Sequence, residues 1–136
     1  MAALVIDASV ATAWCFPDER TDYTNGILRI ISTPSEAMAP RLWAYEIRNS
    51  IMVGLRRRRI TKAAAENFLN YIKRLPIRLT DPLSYDDLFA LADSHGLTVY
   101  DAAYLELALR KGLPLASLDN QLIRAAERSG VVIFQP

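Results

Sequence analysis

The stretch TVYDAAYLELALRKGLPLASLD, residues 98–119, contains a helical pattern followed by a short apolar run. Thr98-Val99-Tyr100-Asp101 opens the helix, and Lys111-Gly112 closes it with the glycine that commonly follows a helix end. Residues 113–118 are mostly apolar and predict a buried strand. Because residues 120–129 are again helical in pattern, this strand lies between two helices. That order is typical of a parallel sheet whose strands are joined by crossover helices.

The same alternation of short apolar runs and longer helical patterns continues over the rest of the chain. Further strands are predicted at 3–6, 37–39, 77–79 and 131–134, and further helices at 9–16, 21–31, 43–58, 61–75 and 84–94. The helix at 43–58 is the clearest, since Trp43, Ile47, Ile51 and Leu55 recur every four residues. We therefore predict a three-layer α/β/α sandwich with a short parallel sheet of four or five strands, formed by one domain over residues 1–136.

Composition excludes several classes of protein. The 136 residues are 51% hydrophobic and carry a net charge of +1, which suits one folded domain without a global attraction to polyanions. One cysteine and one histidine exclude a disulfide scaffold and a zinc cluster of thiolates or histidines. No apolar run approaches the roughly 18 residues of a membrane span. The first residues also lack the basic region of a secretion signal, so we expect a cytoplasmic protein with no membrane partner.

Common catalytic motifs are missing from the sequence. It contains no G-x-x-x-x-G-K-[ST] loop to bind phosphates and no G-x-G-x-x-G after the first predicted strand. A Ser-His-Asp relay is disfavoured, because His95 lies in a turn that ends a helix. The remaining candidates for chemistry are carboxylates.

Three aspartates lie where strands end or helices begin. Asp7 follows the strand at 3–6, Asp119 follows the strand at 113–118, and Asp101 is in the first turn of its helix. The carboxyl ends of parallel strands meet at the edge where α/β proteins bind ligands, so these side chains are expected to converge. The alternative is that each aspartate only caps a helix, and Thr98-x-x-Asp101 resembles a capping box.

Glu46 adds a fourth carboxylate. It lies inside the helix at 43–58 beside the apolar residue Ile47, and it shares a helix face with Asn49. A carboxylate at a buried border needs a cation, a basic partner or a proton, and a surface salt bridge, for example to Arg48, is the alternative to a metal. Hard divalent cations select oxygen ligands, and one or two of them can promote phosphodiester cleavage without histidine or cysteine.

Four segments of the sequence resemble the PIN-domain family, and within it the VapC-type toxin ribonucleases. They occur in order across nearly the whole chain, at residues 5–9 (VIDAS), 39–49 (APRLWAYEIRN), 97–108 (LTVYDAAYLELA) and 115–119 (LASLD). The resemblance implies a parallel sheet between helices. It also implies an endoribonuclease that depends on Mg²⁺ or Mn²⁺ and acts as the toxin of a type II toxin–antitoxin pair.

The resemblance implies specific residues and partners as well. Its catalytic and metal-binding acids map onto Asp7, Glu46, Asp101 and Asp119. Ser117 matches a hydroxyl that supports the site, and Asn49 and Asn120 are expected to lie behind the metal ligands. The implied partners are an RNA substrate, a small VapB-like antitoxin that masks the active-site groove, and a second copy of the chain in a homodimer.

Alternatives stay open for one motif and for the function. Arg56-Arg57-Arg58-Arg59 is either a solvated helix end, a patch that contacts RNA phosphates, or a docking site for an acidic antitoxin. The function alternatives are a catalytically inactive PIN-like scaffold and a Mg²⁺-binding domain similar to a phospho-receiver. A receiver usually has an acid pair after its first strand and a lysine late in the sheet, whereas here Asp7 stands alone and no lysine closes a strand.

Overall fold

A computed structural model describes residues 2–32 and 35–136. Within these ranges the strands and α-helices follow in the order β1 (Ala2–Ile6), α1 (Ala8–Cys15), α2 (Asp22–Ile31), β2 (Glu36–Pro40), α3 (Leu42–Arg56), α4 (Lys62–Ile72), β3 (Ile77–Thr80), α5 (Tyr85–His95), α6 (Val99–Lys111), β4 (Leu115–Ala116) and α7 (Asn120–Arg128). A 3₁₀ turn, Pro17–Glu19, joins α1 to α2. The predicted domain span of 1–136 includes residues 1, 33 and 34, which lie outside the described residues.

The strands form one parallel sheet. In the described part of the chain it has four strands, in the order β3-β2-β1-β4. The first two crossovers step from β1 to β2 and on to β3, whereas the third places β4 on the other side of β1. This reversal puts a topological switch point between β1 and β4, where α/β sheets form ligand-binding crevices. The predicted α/β/α sandwich with a short parallel sheet is confirmed.

The prediction of a fifth strand at 131–134 was wrong. Between residues 35 and 136 this segment contributes only an isolated bridge from Ile133 to Leu115. Strand β4 itself is shorter than the predicted 113–118. It ends after Ala116, and beyond it the N–H of Leu118 donates to the Ser9 hydroxyl and that of Asp119 to the Ser117 hydroxyl. Two backbone hydrogen bonds hold the 131–134 segment beside β4: the Leu115 N–H donates to the Val132 carbonyl at 2.9 Å, and the Phe134 N–H donates to the Leu115 carbonyl at 2.8 Å.

Two helices end earlier than the sequence pattern predicted. The helix predicted at 43–58 ends at Arg56, since Arg58 adopts a left-handed conformation with φ 57° and the Arg59 N–H donates to the Gly54 carbonyl at 2.8 Å. The helix predicted at 61–75 ends at Ile72. There the Leu75 N–H turns back to the Ile72 carbonyl at 3.2 Å, just before Pro76.

The core explains why the ends of β1 and β4 are well fixed. Leu4, Val5 and Ile6 are fully buried, because β1 lies between two strands with helices packed against it. The predicted apolar stripe of α3 is buried from Trp43 to Ile51. Burying such side chains contributes about 1.5–3 kcal/mol each, so β1 is held rigidly and fixes the position of the residues that follow it.

No helix in the two described ranges is long and apolar enough to cross a bilayer.

Candidate metal centre

The four predicted acids come together at one cleft. Asp7 follows β1 and Asp119 follows β4, so these two flank the switch point of the sheet, while Glu46 comes from α3 and Asp101 from α6. The cleft has a volume of about 460 Å³. Its lining consists of Asp7, Ala8, Ser9, Thr12, Glu19, Glu46, Asn49, Ser50, Asp101, Leu118 and Asp119.

Asp7 is the most buried of these acids, at 6% exposure. Its Oδ2 accepts hydrogen bonds from the hydroxyls of Ser9 and Ser117, both at 2.7 Å. The residue occupies the N-cap position of α1, but no cap bond from its side chain is found in the described part of the chain. Burial raises the pKa of Asp7, and the nearby charge of Asp119 adds to this, against the lowering effect of the two hydroxyls. Capping therefore does not account for this carboxylate.

The same two serines join the ends of β1 and β4. Ser9 Oγ accepts the Leu118 N–H at 3.0 Å, and Ser117 Oγ accepts the Asp119 N–H at 3.0 Å. Each hydroxyl thus links Asp7 to a loop about 110 residues away in sequence. Ser117 is the supporting hydroxyl that the resemblance implied. No role was predicted for Ser9, although it is the last residue of the segment at 5–9. The signal for Ser9 was a hydroxyl two residues after an acid, at a strand-to-helix junction.

Asp119 does act as a helix cap. Its Oδ1 accepts the N–H groups of Gln121 at 2.9 Å and Leu122 at 3.1 Å, at the start of α7. The capping alternative is therefore correct for this residue. Because Asp119 also lines the cleft and its charge raises the pKa values of Asp7 and Asp101, capping is not its only electrostatic effect.

Asp101 is half-buried in the first turn of α6. The cap of this helix is Thr98, whose hydroxyl accepts the Asp101 N–H at 3.1 Å. Burial raises the pKa of Asp101, and the charges of Asp119 and Asp7 raise it further, while a hydrogen bond with Thr98 lowers it. The Asp101 carboxyl is thus held in an environment that disfavours its ionised form.

Glu46 is paired with a buried tyrosine. Its Oε1 accepts a hydrogen bond of 2.6 Å from the hydroxyl of Tyr104, which is fully buried on α6. The alternative of a salt bridge fails within the described residues, and the Arg48 guanidinium donates to the Ala44 carbonyl instead. Burial and then the charges of Asp7 and Asp101 raise the pKa of Glu46, while the Tyr104 hydrogen bond lowers it.

Tyr104 and Glu19 were not singled out by the sequence. Tyr104 follows Asp101 by three residues, and this helical spacing was the available signal. Burial raises the pKa of Tyr104, as does its donated bond to Glu46. Glu19 is a fifth acid of the cleft and lies in the 3₁₀ turn. Of the two predicted supporting amides, Asn49 lines the cleft, whereas Asn120 is exposed and is not part of the lining.

The cleft carries an excess of negative charge. Five carboxylates line it, and no lysine or arginine occurs among the described lining residues, so nothing resembles the lysine of a phospho-receiver site. The raised pKa values of Asp7, Glu46 and Asp101 express this repulsion together with burial. Oxygen donors in such a field suit a hard divalent cation.

The carboxylates do not enclose a ready-made ion cage. Among residues 2–32 and 35–136, no group of three or more acidic, histidine or cysteine side chains forms a complete set of metal ligands. An ion of the magnesium type usually keeps several of its waters and takes only one or two protein carboxylates. The donor set of the cleft therefore fits a hydrated divalent cation better than a fully protein-ligated one.

Comparisons with known proteins agree with this architecture. The sequence profile of the PIN domain matches residues 4–128. Ribonuclease VapC3 of Pyrobaculum aerophilum is 37% identical over 123 residues, which is 88% of this chain and 91% of that protein. The crystal structure of PAE2754 from Pyrobaculum aerophilum superposes with a TM-score of 0.74 at 24% identity, covering 91% of this chain and 84% of that one. The structure of Mycobacterium tuberculosis VapC20, a toxin that cleaves the sarcin–ricin loop, gives a TM-score of 0.70 at 16% identity, covering 98% and 100%.

Proposed function

The chain belongs to the PIN-domain family, as its four sequence segments predicted, and we propose that it is a metal-dependent endoribonuclease acting as the toxin of a toxin–antitoxin pair. Its similarity to ribonuclease VapC3 over most of both chains supports the reaction class. The observation that carries the proposal is the convergence of Asp7, Glu46, Asp101 and Asp119 on one cleft at the switch point of the sheet.

These four acids would hold a hydrated ion between them, one or two directly and the others through its waters, and Mg²⁺ or Mn²⁺ suits their oxygen donors. When bound, such an ion lowers the pKa of a coordinated water and neutralises charge that develops on a phosphate. The chain's own residues orient the acids. Ser9 and Ser117 fix the Asp7 carboxylate from one side, and Tyr104 fixes Glu46 from the protein interior.

The carboxylates also serve as proton acceptors. A general base works best when its pKa lies closer to the working pH than that of an ordinary acid. In the metal-free chain, burial and neighbouring charges raise the pKa of both Glu46 and Asp101, and a bound cation would lower each pKa again. Both are only half-buried and line the cleft, so either can accept a proton from a water molecule that attacks an RNA phosphate there.

The proposal includes the partners and the setting. The substrate is RNA, and a small VapB-like antitoxin covers the cleft. A homodimer is part of the proposal, and large apolar side chains exposed on α3 and α5, among them Tyr45, Tyr85 and Phe89, are available for such an interface. The protein acts in the cytoplasm as one domain over residues 1–136.

The test is cleavage of RNA by the purified chain with and without metal. We expect activity that disappears with EDTA and returns with Mg²⁺ or Mn²⁺. Asp101→Asn should lower the rate at least about 100-fold, the usual contribution of a positioned acid or base. The matched control is Asp93→Asn, an exposed aspartate of α5 outside the cleft lining, which should keep the full rate. Cleavage by Asp101→Asn at the wild-type rate would rule out the proposed site.

A further inference from the structure

The turn between α3 and α4 carries five positive side chains. We use the name basic turn for these residues: Arg56, Arg57, Arg58, Arg59 and Lys62. All five are exposed as residues, but their side chains do not share one environment. The structure separates Arg59 from the other four, which the sequence alone did not.

Arg59 is fully engaged within the protein. Its Nη2 lies 2.8 Å from Glu19 Oε2 and 3.1 Å from Asp18 Oδ2, and its guanidinium lies 4.3 Å from the centroid of the Phe16 ring. On another side the Phe16 ring approaches Gly54 so closely that a Cβ there would lie 2.6 Å from Cζ. Phe16 is thus held between α3 and the Arg59 side chain. Arg59 therefore has a structural role, and its Nη2 is already paired with two carboxylates.

The Arg59–Glu19 ion pair also joins the basic turn to the acidic cleft, because Glu19 is one of the lining residues. The remaining cations, Arg56, Arg57, Arg58 and Lys62, form no ion pair with any residue in the described part of the chain. These four uncommitted charges therefore belong to the same turn as Arg59, which contacts a cleft whose own described lining has no positive side chain.

Arg58 is also held at a cost in stability. Its φ is 57°, and the other residues with positive φ in the two described ranges are Gly96, Gly112 and Gly130. The left-handed conformation strains an L-residue, whereas glycine adopts it without that strain. The chain has glycine at the other three positions but an arginine just after α3. A glycine here would relieve the strain and remove the positive charge together, which makes Arg58 a useful test position.

We propose that Arg56, Arg57, Arg58 and Lys62 bind the phosphate backbone of the RNA substrate next to the cleft, with Arg59 as the structural anchor of the turn. The inference rests on the proposed function. The five carboxylates of the cleft repel a polyanion, so the substrate needs cations close by. RNA is favoured over an acidic protein because only the substrate must place a phosphate among the five carboxylates of the cleft, and that placement requires cations on the adjoining surface.

The experiment measures RNA binding without cleavage. A fluorescent single-stranded RNA is titrated with Asp101→Asn protein at several salt concentrations. The test variant adds Arg56→Gln, Arg57→Gln and Arg58→Gln to this background. Each lost phosphate contact should flatten the slope of log Kd against log salt by about 0.7, so three contacts give a change of about 2.

The control variant replaces three other exposed arginines near the carboxyl ends of helices: Arg29→Gln, Arg74→Gln and Arg128→Gln. It removes the same number of charges and should leave the slope unchanged. An unchanged slope in the test variant, or an equal change in both variants, overturns the inference. If the test variant keeps its RNA affinity and loses only binding to an acidic antitoxin, the inference is likewise overturned. If the Asp101→Asn protein binds no RNA at all, the proposed function itself fails.

Substitutions of Arg58 give a second test, in which Tm and RNA affinity are expected to change in opposite directions. Arg58→Gly removes the backbone strain and the charge together, so we expect Tm to rise by about 4 °C while RNA affinity falls about threefold. Arg58→Gln keeps the strain and removes the charge, so it should lose affinity without the gain in Tm. A rise in Tm for Arg58→Gly with unchanged affinity would show that this side chain does not contact RNA.

Discussion

Tyr104 shows how one buried hydroxyl orients a charged group from the protein interior. Its hydrogen bond to Glu46 is the short link between α6 and α3 behind the cleft. A buried tyrosine hydroxyl needs a partner, and a partly desolvated carboxylate needs a donor, so each satisfies the other. The acid from α3 is therefore held toward the acid from α6.

Removing this hydroxyl should affect the reaction more than the fold. Tyr104→Phe keeps the packing but leaves Glu46 without its donor, at a cost of about 1–2 kcal/mol in the free energy of unfolding. Because groups that orient metal ligands matter strongly, we expect a loss of about 10–100-fold in cleavage rate or metal affinity. The control is Tyr71→Phe on α4, which removes a tyrosine hydroxyl outside the cleft lining. Equal rate losses in both variants, measured under the same conditions, would contradict the role of Tyr104.

The raised pKa of Asp101 predicts how stability depends on pH. A carboxyl whose folded pKa exceeds its unfolded value destabilises the fold when ionised. That penalty is absent below the unfolded pKa of about 3.9, grows as pH rises to the folded pKa, and is constant above it. In metal-free protein, Asp101→Asn should therefore be more stable than wild type at pH 8. The advantage should disappear near pH 4.

Urea denaturation of both proteins at the two pH values, with EDTA present, checks this prediction. Asp93→Asn again serves as the control, since this exposed aspartate should show no such advantage at either pH. An advantage of Asp101→Asn that is as large at pH 4 as at pH 8 would mean that repulsion between carboxylates is not its cause.

At the level of single elements, Gly54 of α3 packs against Phe16, the residue that precedes the Pro17–Glu19 turn. An alanine inside a helix normally gains up to about 1 kcal/mol over glycine. Here the new Cβ would lie 2.6 Å from Phe16, and overpacking of this kind costs about 1–3 kcal/mol. We expect Gly54→Ala to destabilise the fold and to disturb the Arg59–Glu19 pair.

Gly26→Ala on α2 is the matched comparison. Its Cβ would lie 2.9 Å from Pro136, but Pro136 is exposed and can move aside more easily than the buried Phe16 ring. This variant should be neutral or slightly stabilising. Thermal melts of the two alanine variants measure the change in Tm for each. An equal change in Tm for both would show that Phe16 is not a rigid neighbour of α3.

The elements also show what the sequence could predict. Periodicity predicted the helices well, and the apolar runs placed Asp7 and Asp119 at the ends of neighbouring strands. The bond from Tyr104 to Glu46 joins residues 58 apart in sequence, and the bond from Ser117 to Asp7 joins residues 110 apart, so no local pattern contains either contact. The length of β4 was missed for the same reason, because a serine from the distant α1 takes a backbone N–H that a strand would use.

For the whole molecule, the charge of the cleft links metal binding to stability. An ion that binds only the folded chain stabilises it by about 2.7 kcal/mol at 100 times its Kd. Millimolar Mg²⁺ or Mn²⁺ should therefore raise Tm by several degrees. Choline chloride at equal ionic strength controls for screening, and Asp101→Asn should show a smaller shift. A Tm that responds equally to the divalent salt and to choline chloride would argue against a bound ion.

The serine contacts between the two ends of the chain bear on how this protein is made. Asp7 is translated about 110 residues before its partner Ser117 and before Asp119. A nascent chain that ends before Ser117 therefore lacks a complete cleft, even if its earlier helices have already formed. Under the proposed function, cleavage of RNA can begin only after Asp119 has been translated and has folded beside Asp7.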